Sequence, residues 1–352
     1  MLEIQTGCRI HFGLMELCPA APLRFAGLGL GVAQPGNHLR FSSPACVEHR
    51  PQSPSQNRAK RDSAKRLRPI LERWLAGNHN GCPVPSIELV SGLPAHAGLG
   101  SGTQLGVAAA FGLWLWQKTQ TQGSLPMGEG WQPVSQVAGV LGLQELAERS
   151  GRGLRSAIGL QCFLSGGLVL DRGESASQSK GEARSRGFDC QTINLPESWR
   201  VLLIQPMSNR RVFGDSEAKL LARIGRTPNP DRNRMLSIAE EMLESFQAGA
   251  FAFGKFISLL DRYMDLASKM FHEVQGGKFN GPEVASAVLQ AQRAGLQGVG
   301  QSSWGPTIFG FAESKPAAEE IAQRVRESTS EPWKIDVVAP SRHGARWRWS
   351  DS

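Results

Sequence analysis

The residues of this chain best suited to chemistry lie in Leu93-Pro94-Ala95-His96-Ala97-Gly98-Leu99-Gly100-Ser101-Gly102-Thr103-Gln104. Three glycines within five residues let the backbone take positive φ angles and approach a ligand more closely than side chains would permit. The apolar stretch 105–116 reads as the helix that follows, and Ser101 or Thr103 can cap it. The first-turn N–H groups of such a helix, with the aligned peptide dipoles behind them, would seat a phosphate or diphosphate. Gly98, Leu99, Gly100, Ser101, Gly102 and Thr103 are therefore candidate phosphate contacts. The segment has neither the lysine of a P-loop nor GxGxxG spacing. Small residues ahead of a helix also serve close packing, so spacing alone leaves both roles open.

Three further glycine-rich segments lie far from the first. Gly27 to Gly31 follows Arg24; Gly151-Arg152-Gly153-Leu154-Arg155 offers two arginines among its glycines; Gly298-Val299-Gly300-Gln301-Ser302-Ser303-Trp304-Gly305 approaches the end of the chain. Gathering several such segments around one phosphorylated ligand would explain them, and so would a set of tight turns. Arg9, His11 and Arg24 are candidate contacts for a phosphate or carboxylate, and are equally accounted for as surface or structural side chains. Arg152 and Arg155 could grip an anion with planar forks of donors, or sit in a basic turn facing solvent.

The elements that must position these residues are read from periodicity. Strands are expected over 4–12, 41–47, 87–90, 161–170, 199–205, 308–311 and 333–338. Helices are expected from 63 to 77, where Leu67, Ile70, Leu71, Trp74 and Leu75 share a face, and over 104–117, 133–149, 231–247, 250–273 and 316–327. Strands gathered early and late, with helices between, imply two α+β lobes with a cleft at their join. Residues 172–189 are rich in Ser, Glu, Arg and Gly and mark either the lobe boundary or a long hairpin tip. The basic, Trp-rich residues 341–352 are expected to be a loosely held tail.

Composition bounds the function classes. The 352 residues carry 39 Lys and Arg against 31 Asp and Glu, a net charge of +8. Nucleic acid or a site for several phosphates would each explain the excess. Part of it is local: the segment 49–68 holds seven basic residues and one acid and lacks aromatics for base stacking, and its first half reads as an exposed insertion leading into a helix. Six scattered cysteines contain no CxxC and fit free thiols in a reducing compartment. The amino terminus has no basic region followed by an apolar core, and 107–116 is too short to span a bilayer. A cytoplasmic protein with neither membrane nor nucleic-acid partner is the expectation.

The motif Pro-x-x-x-Gly-Leu-Gly-Ser-Gly resembles the phosphate loop of the GHMP kinase superfamily. Four segments together resemble one branch of it, the beta-ribofuranosylaminobenzene 5'-phosphate synthase family: Arg9-Ile10-His11-Phe12-Gly13-Leu14, Gly98 to Gln104, Gly151-Arg152-Gly153 with Ser156-Ala157-Ile158-Gly159, and Gly300 to Thr307. That resemblance implies a two-lobed α+β fold: a ribosomal protein S5 domain 2-like lobe over 1–190 and a ferredoxin-like lobe over 191–340. It implies condensation of phosphoribosyl diphosphate with 4-hydroxybenzoate or 4-aminobenzoate, with loss of carbon dioxide and diphosphate, in tetrahydromethanopterin biosynthesis. Mg2+ or another divalent cation and a homodimer are implied too. Arg9, His11, Arg24 and Arg152 would be its catalytic residues, with Ser302, Ser303 and Gly305 joining the phosphate contacts. The segment 24–31 lacks an acid that archaeal members carry there, so no metal ligand is assigned. The alternative is an ATP-dependent small-molecule kinase of the same superfamily, for which Asp171 is the nearby carboxylate that could serve the acceptor hydroxyl.

Overall fold

The computed structural model describes residues 1–18, 21, 23–43, 54–77, 83–122, 130–138, 141–153, 156–175, 188–206, 214–249 and 252–350. The strand expected over 4–12 is two, Leu2–Gln5 and Cys8–Leu14, and they enter different sheets. The chain breaks where Thr6 N donates to Asn37 O, and Gly7 lies so close to the Val32 carbonyl that no Cβ would fit.

Among the described residues three larger antiparallel sheets make the two lobes, beside a two-stranded pairing of Leu23–Arg24 with Glu174–Ser175. The first runs Ser86–Ser91, His38–Ser42, Leu2–Gln5, Arg346–Trp349, Gln132–Pro133. The second runs Cys190–Ile193, Leu168–Asp171, Gly27–Val32, Cys8–Leu14, and the third Gln297–Gln301, Ile308–Ala312, Arg200–Gln205, Lys334–Val338. Helix Ser101–Gln122 covers the first sheet and helix Pro54–Gly77 packs on that helix, in one core that holds Phe41, Ile70, Trp74 and Phe111. Leu105 to Trp116 are buried on every side, as a helix apolar all round must be.

Helix Phe253–Gln275 ties the lobes together. Its Phe256 and Tyr263 share one core with Phe12 and Leu28 of the second sheet and Phe309 and Phe311 of the third. Tyr263 donates its hydroxyl to Gly13 O at 2.8 Å, and Gly13, at φ +142°, leaves room for Ala267. Helices Pro282–Arg293 and Lys315–Glu327 cover the other face of the third sheet. The result is the expected two-lobed α+β architecture, with a cleft between the second sheet and helix Phe253–Gln275.

Several local expectations are corrected. The basic stretch is helical from Pro54, well before 63, and 49–53 lie outside the described residues. The helix expected over 133–149 is two, Ser135–Ala138 and Leu143–Ser150, separated before Gly142, whose φ is +65°. The apolar run 161–170 begins as helix Ile158–Leu164 and becomes a strand only at Leu168, after the left-handed pair Gly166-Gly167. The chain end is not loose: Arg346–Trp349 is an inner strand of the first sheet, with Trp347 buried.

Candidate functional site

A cavity of about 660 Å3 lies in the cleft, and three of the four glycine segments reach its wall. Helix Ser101–Gln122 starts there. Gln104 N donates to Gly100 O at 2.9 Å as the first intrahelical bond, so the N–H groups of Ser101, Gly102 and Thr103 have no intrahelical acceptor. Gly98 and Gly100, at φ +83° and +70°, turn the chain into that position. A Cβ at Gly98 would lie 2.5 Å from Ser302 O, and one at Gly100 would lie 3.2 Å from Arg9 Nε. Glycine is required here for approach as well as for conformation.

The walls of the turn are pinned to one another. Ser302 Oγ donates to Gly98 O at 2.8 Å and accepts from His11 N at 3.1 Å, Arg9 N donates to Leu99 O at 3.1 Å, and Ser303 N donates to His11 O at 3.3 Å. Residues nearly 300 apart thus meet in one clasp, which no local sequence signal could specify. Ser302 is fully buried and its hydroxyl is engaged by protein on both sides, so it braces the site, whereas Ser303 and Gly305 face the cavity. Leu99 is also fully buried and contributes core.

The charge in the cavity is cationic. Arg9 has buried Nε and Nη1 donors with no hydrogen-bond partner among the described residues, and burial holds its pKa below the ordinary arginine value. Arg152 lies along the first turns of helix Ser101–Gln122, with Nη1 and Nη2 3.6 Å from the Cβ position at Gly102 and Nε 3.1 Å from that at Gly106. Burial lowers its pKa, and Arg73 and Arg66 lower it further. His11 accepts from Gly13 N at 3.1 Å through Nδ1; burial, with the charge of Arg9, brings its pKa down to about 3, so the ring is neutral and carries its proton on Nε2.

Apolar side chains, Phe12, Met264, Phe271 and Trp304, also line the cavity wall, with the Phe271 and Trp304 rings edge-to-face at 5.2 Å. Sequence reading missed this apolar lining, and it missed Arg66 and Glu217, which also line the cavity. Their signals depend on which face of a helix turns inward. The side chain of Arg24 and both Leu154 and Arg155 lie outside the described residues. The glycines of strand Gly27–Val32 do not line the cavity; Gly29 instead makes room for Ile158, and Gly31 for Gly166.

Asp171 is buried and does not line the cavity. Its Oδ2 accepts from Ser156 Oγ at 3.0 Å and Ala157 N at 2.7 Å, and its Oδ1 accepts from Gly173 N at 3.0 Å. It therefore organises the start of helix Ile158–Leu164, whose Gly159 carbonyl accepts from Gln104 Nε2 at 2.9 Å.

Among the described residues no cluster of three His, Cys, Asp or Glu could hold a metal, and no helix is long and apolar enough to cross a membrane.

A family model described as GHMP kinases C terminal matches residues 239–330. The chain is 25% identical to beta-ribofuranosylphenol 5'-phosphate synthase of Methanothermobacter thermautotrophicus over 98% of both chains. It is 27% identical to the protein of the same name from Archaeoglobus fulgidus over 92% of both. The fold superposes on the homoserine kinase of Cytophaga hutchinsonii with a TM-score of 0.57, at 18% identity, over 98% of this chain and 97% of that one. With a family match over its carboxy-terminal part and relatives that align from end to end, the chain belongs to the GHMP kinase superfamily.

Proposed function

We propose that this protein is a decarboxylating ribosyltransferase, joining phosphoribosyl diphosphate to 4-hydroxybenzoate or 4-aminobenzoate and releasing carbon dioxide and diphosphate. The observation that carries the reading is the mixed lining of the cavity. It brings the free first-turn amides, Arg9 and Arg152 together with the aromatic side chains of Phe12, Phe271 and Trp304. A diphosphate and an aromatic ring are the two groups such a lining suits. The full-length similarity to proteins named beta-ribofuranosylphenol 5'-phosphate synthase supports the same assignment.

In this reaction the bond between C1 of the ribose and the diphosphate oxygen breaks, so negative charge grows on the leaving group. The amides of Ser101, Gly102 and Thr103 and the guanidinium of Arg152 are placed to stabilise that charge. The carboxylate-bearing ring carbon attacks C1, and loss of carbon dioxide returns the electron pair of its carboxyl bond to the ring. No general base is needed to activate an acceptor hydroxyl, which agrees with Asp171 being engaged by Ser156, Ala157 and Gly173. Arg9 is the arginine we assign to the benzoate carboxylate or the 5'-phosphate, since its orphan donors need an anion. Neutral His11 can donate from Nε2 without adding charge.

The divalent cation we propose is one carried by the phosphates, since magnesium commonly takes one or two protein carboxylates and keeps the rest of its shell from phosphate and water. Glu217 is the carboxylate of the cavity wall that suits an ion held this way. Bound there, the ion would neutralise charge on the departing oxygens. The two units 1–190 and 191–340 and a homodimeric assembly complete the proposal.

The test is release of labelled carbon dioxide from carboxyl-labelled 4-hydroxybenzoate or 4-aminobenzoate in the presence of phosphoribosyl diphosphate, set against ATP consumption with small alcohols. Release stoichiometric with diphosphate is the expected result. ATP turnover with no carbon dioxide would replace this reading with a kinase.

A further inference from the structure

The helix that carries the basic stretch does more than pack against its neighbour. Leu67, Ile70 and Trp74 fasten helix Pro54–Gly77 to helix Ser101–Gln122. That fixes the register of its arginines. Arg66 donates from Nη2 to Ser101 O at 3.2 Å, directly at the turn where the free amides begin. Two turns later Arg73 donates from Nη1 to Ser150 O at 3.4 Å, and its guanidinium lies 2.5 Å from the position a Cβ would take at Gly151. Arg152 follows immediately and rests in the trough left by Gly102 and Gly106.

The guanidinium groups of Arg66 and Arg152 thus meet in the cavity wall at the start of helix Ser101–Gln122, with Arg73 behind them at Ser150. Among the described residues none of the three has an ion-pair partner, although Arg68 and Glu72 on the same helix pair with each other at 2.8 Å. Like charges held this close repel one another until an anion arrives to share them. Each of Arg66 and Arg73 spends one donor on a carbonyl, which fixes the fork and leaves its other donors open.

We propose that Arg66, with Arg152, forms a second anion subsite that takes the outer phosphate of a diphosphate whose inner phosphate rests on the amides of Ser101, Gly102 and Thr103, with Arg73 adding its charge from outside the cavity. The identity of that diphosphate as a ribosyl leaving group rests on the reading above, but the subsite itself requires only two linked phosphates. A single phosphate fits the amides alone. The subsite therefore acts as a ruler, favouring diphosphate over monophosphate, and makes Arg66 a binding residue contributed by a basic stretch to which sequence reading gave no ligand.

The experiment is calorimetric titration of the full chain with inorganic diphosphate and with inorganic phosphate, for the wild type, Arg66→Ala, Arg66→Lys, Arg73→Ala and Arg68→Ala. Loss of a charge-assisted fork is expected to weaken diphosphate about 10- to 100-fold in Arg66→Ala, with phosphate unchanged. Arg66→Lys should recover part of the loss, Arg73→Ala should lose less, and Arg68→Ala should match the wild type. Equal weakening of both anions in Arg66→Ala would mean that the arginine only braces the turn, and unchanged diphosphate binding would mean that it takes no part; either overturns the subsite. Selective loss of diphosphate without any carbon dioxide release from carboxyl-labelled benzoates would keep the subsite and sink the ribosyl reading.

Discussion

The two glycine-rich turns that meet in the cleft share conformation and differ in what their polar groups do. Gly98 and Gly100 in the first, and Ser303 and Gly305 in the second, all have positive φ, and both turns line the same cavity. Around the second turn, polar groups are consumed by protein. Gln301 Nε2 donates to Gln275 Oε1 at 3.0 Å and to Ser303 O at 2.8 Å, Asn280 N donates to Gln301 Oε1 at 2.7 Å, and Asn280 Nδ2 donates to Trp304 O at 2.9 Å. Around the first, helix amides have no intrahelical acceptor, and beside Ser302, whose hydroxyl is spent on Gly98 O, the side chains of Arg9, Arg66 and Arg152 approach. Glycine content does not distinguish a seat from a brace. The donors remaining after the protein has satisfied itself do.

The strongest way to break that contrast is to remove the cation beside the open turn. Arg152→Ala should lower kcat/KM for phosphoribosyl diphosphate by about 100-fold or more, in the range seen when one preorganised donor to a developing oxyanion is lost. Steady-state kinetics with unchanged thermal unfolding would separate this from misfolding. A fall in melting temperature with normal turnover in the surviving fraction would make Arg152 structural.

Asp171 should behave oppositely. Asp171→Ala strands Ala157 N, Gly173 N and the Ser156 hydroxyl, two of them backbone donors beside the buried start of helix Ile158–Leu164. A loss of about 3 kcal/mol is expected, given the strength of hydrogen bonds to a charged acceptor. Asp171→Asn, which keeps acceptor capacity, should recover part of the stability and retain turnover in urea-titrated, folded protein. Abolished turnover in fully folded Asp171→Asn would return Asp171 to the chemistry and favour the kinase.

These contrasts also explain what could be read in the chain beforehand. The open turn was visible because Gly98, Gly100 and Gly102 are local in sequence and lead directly into an apolar run. The two lobes followed from the order of the periodic segments. Helix Ile158–Leu164 was hidden because seven apolar-rich residues show too little periodicity to separate helix from buried strand. Arg346-Trp347-Arg348-Trp349 alternates with the period of a strand, and its tail-like composition concealed that. Arg66, Glu217 and Phe271 could not be found from spacing at all: each lies on a helix whose inward face is settled by distant packing.

Neighbouring serines in the second turn sharpen the contrast between brace and seat. Ser302→Ala removes the acceptor for His11 N and the donor to Gly98 O, both at a fully buried position, and should cost about 1 to 2 kcal/mol of stability. Ser303→Ala lies on the cavity wall and should alter stability by less than about 0.5 kcal/mol, with its effect confined to ligand affinity. Chemical denaturation of the pair, followed by diphosphate titration, checks the assignment; equal destabilisation by both would remove the distinction.

The subtlest contrast is in pH. His11 sits between the two turns, neutral, with Nδ1 accepting from Gly13 N, and its folded pKa of about 3 is well below that of an unfolded histidine near 6.5. Between those values the unfolded chain binds a proton that the folded chain refuses. Its contribution is therefore complete above about pH 6.5 and is lost as pH falls toward 3, at no more than about 1.4 kcal/mol per pH unit. Carboxylates titrate in the lower part of the same range, so the slope must be isolated from theirs. His11→Asn supplies a neutral acceptor that cannot titrate, and the difference in unfolding free energy between it and the wild type should narrow as pH falls from 6.5 to 5. If the difference stays constant with pH, His11 is protonatable in place, and the cavity is less cationic and wetter than its arginines imply.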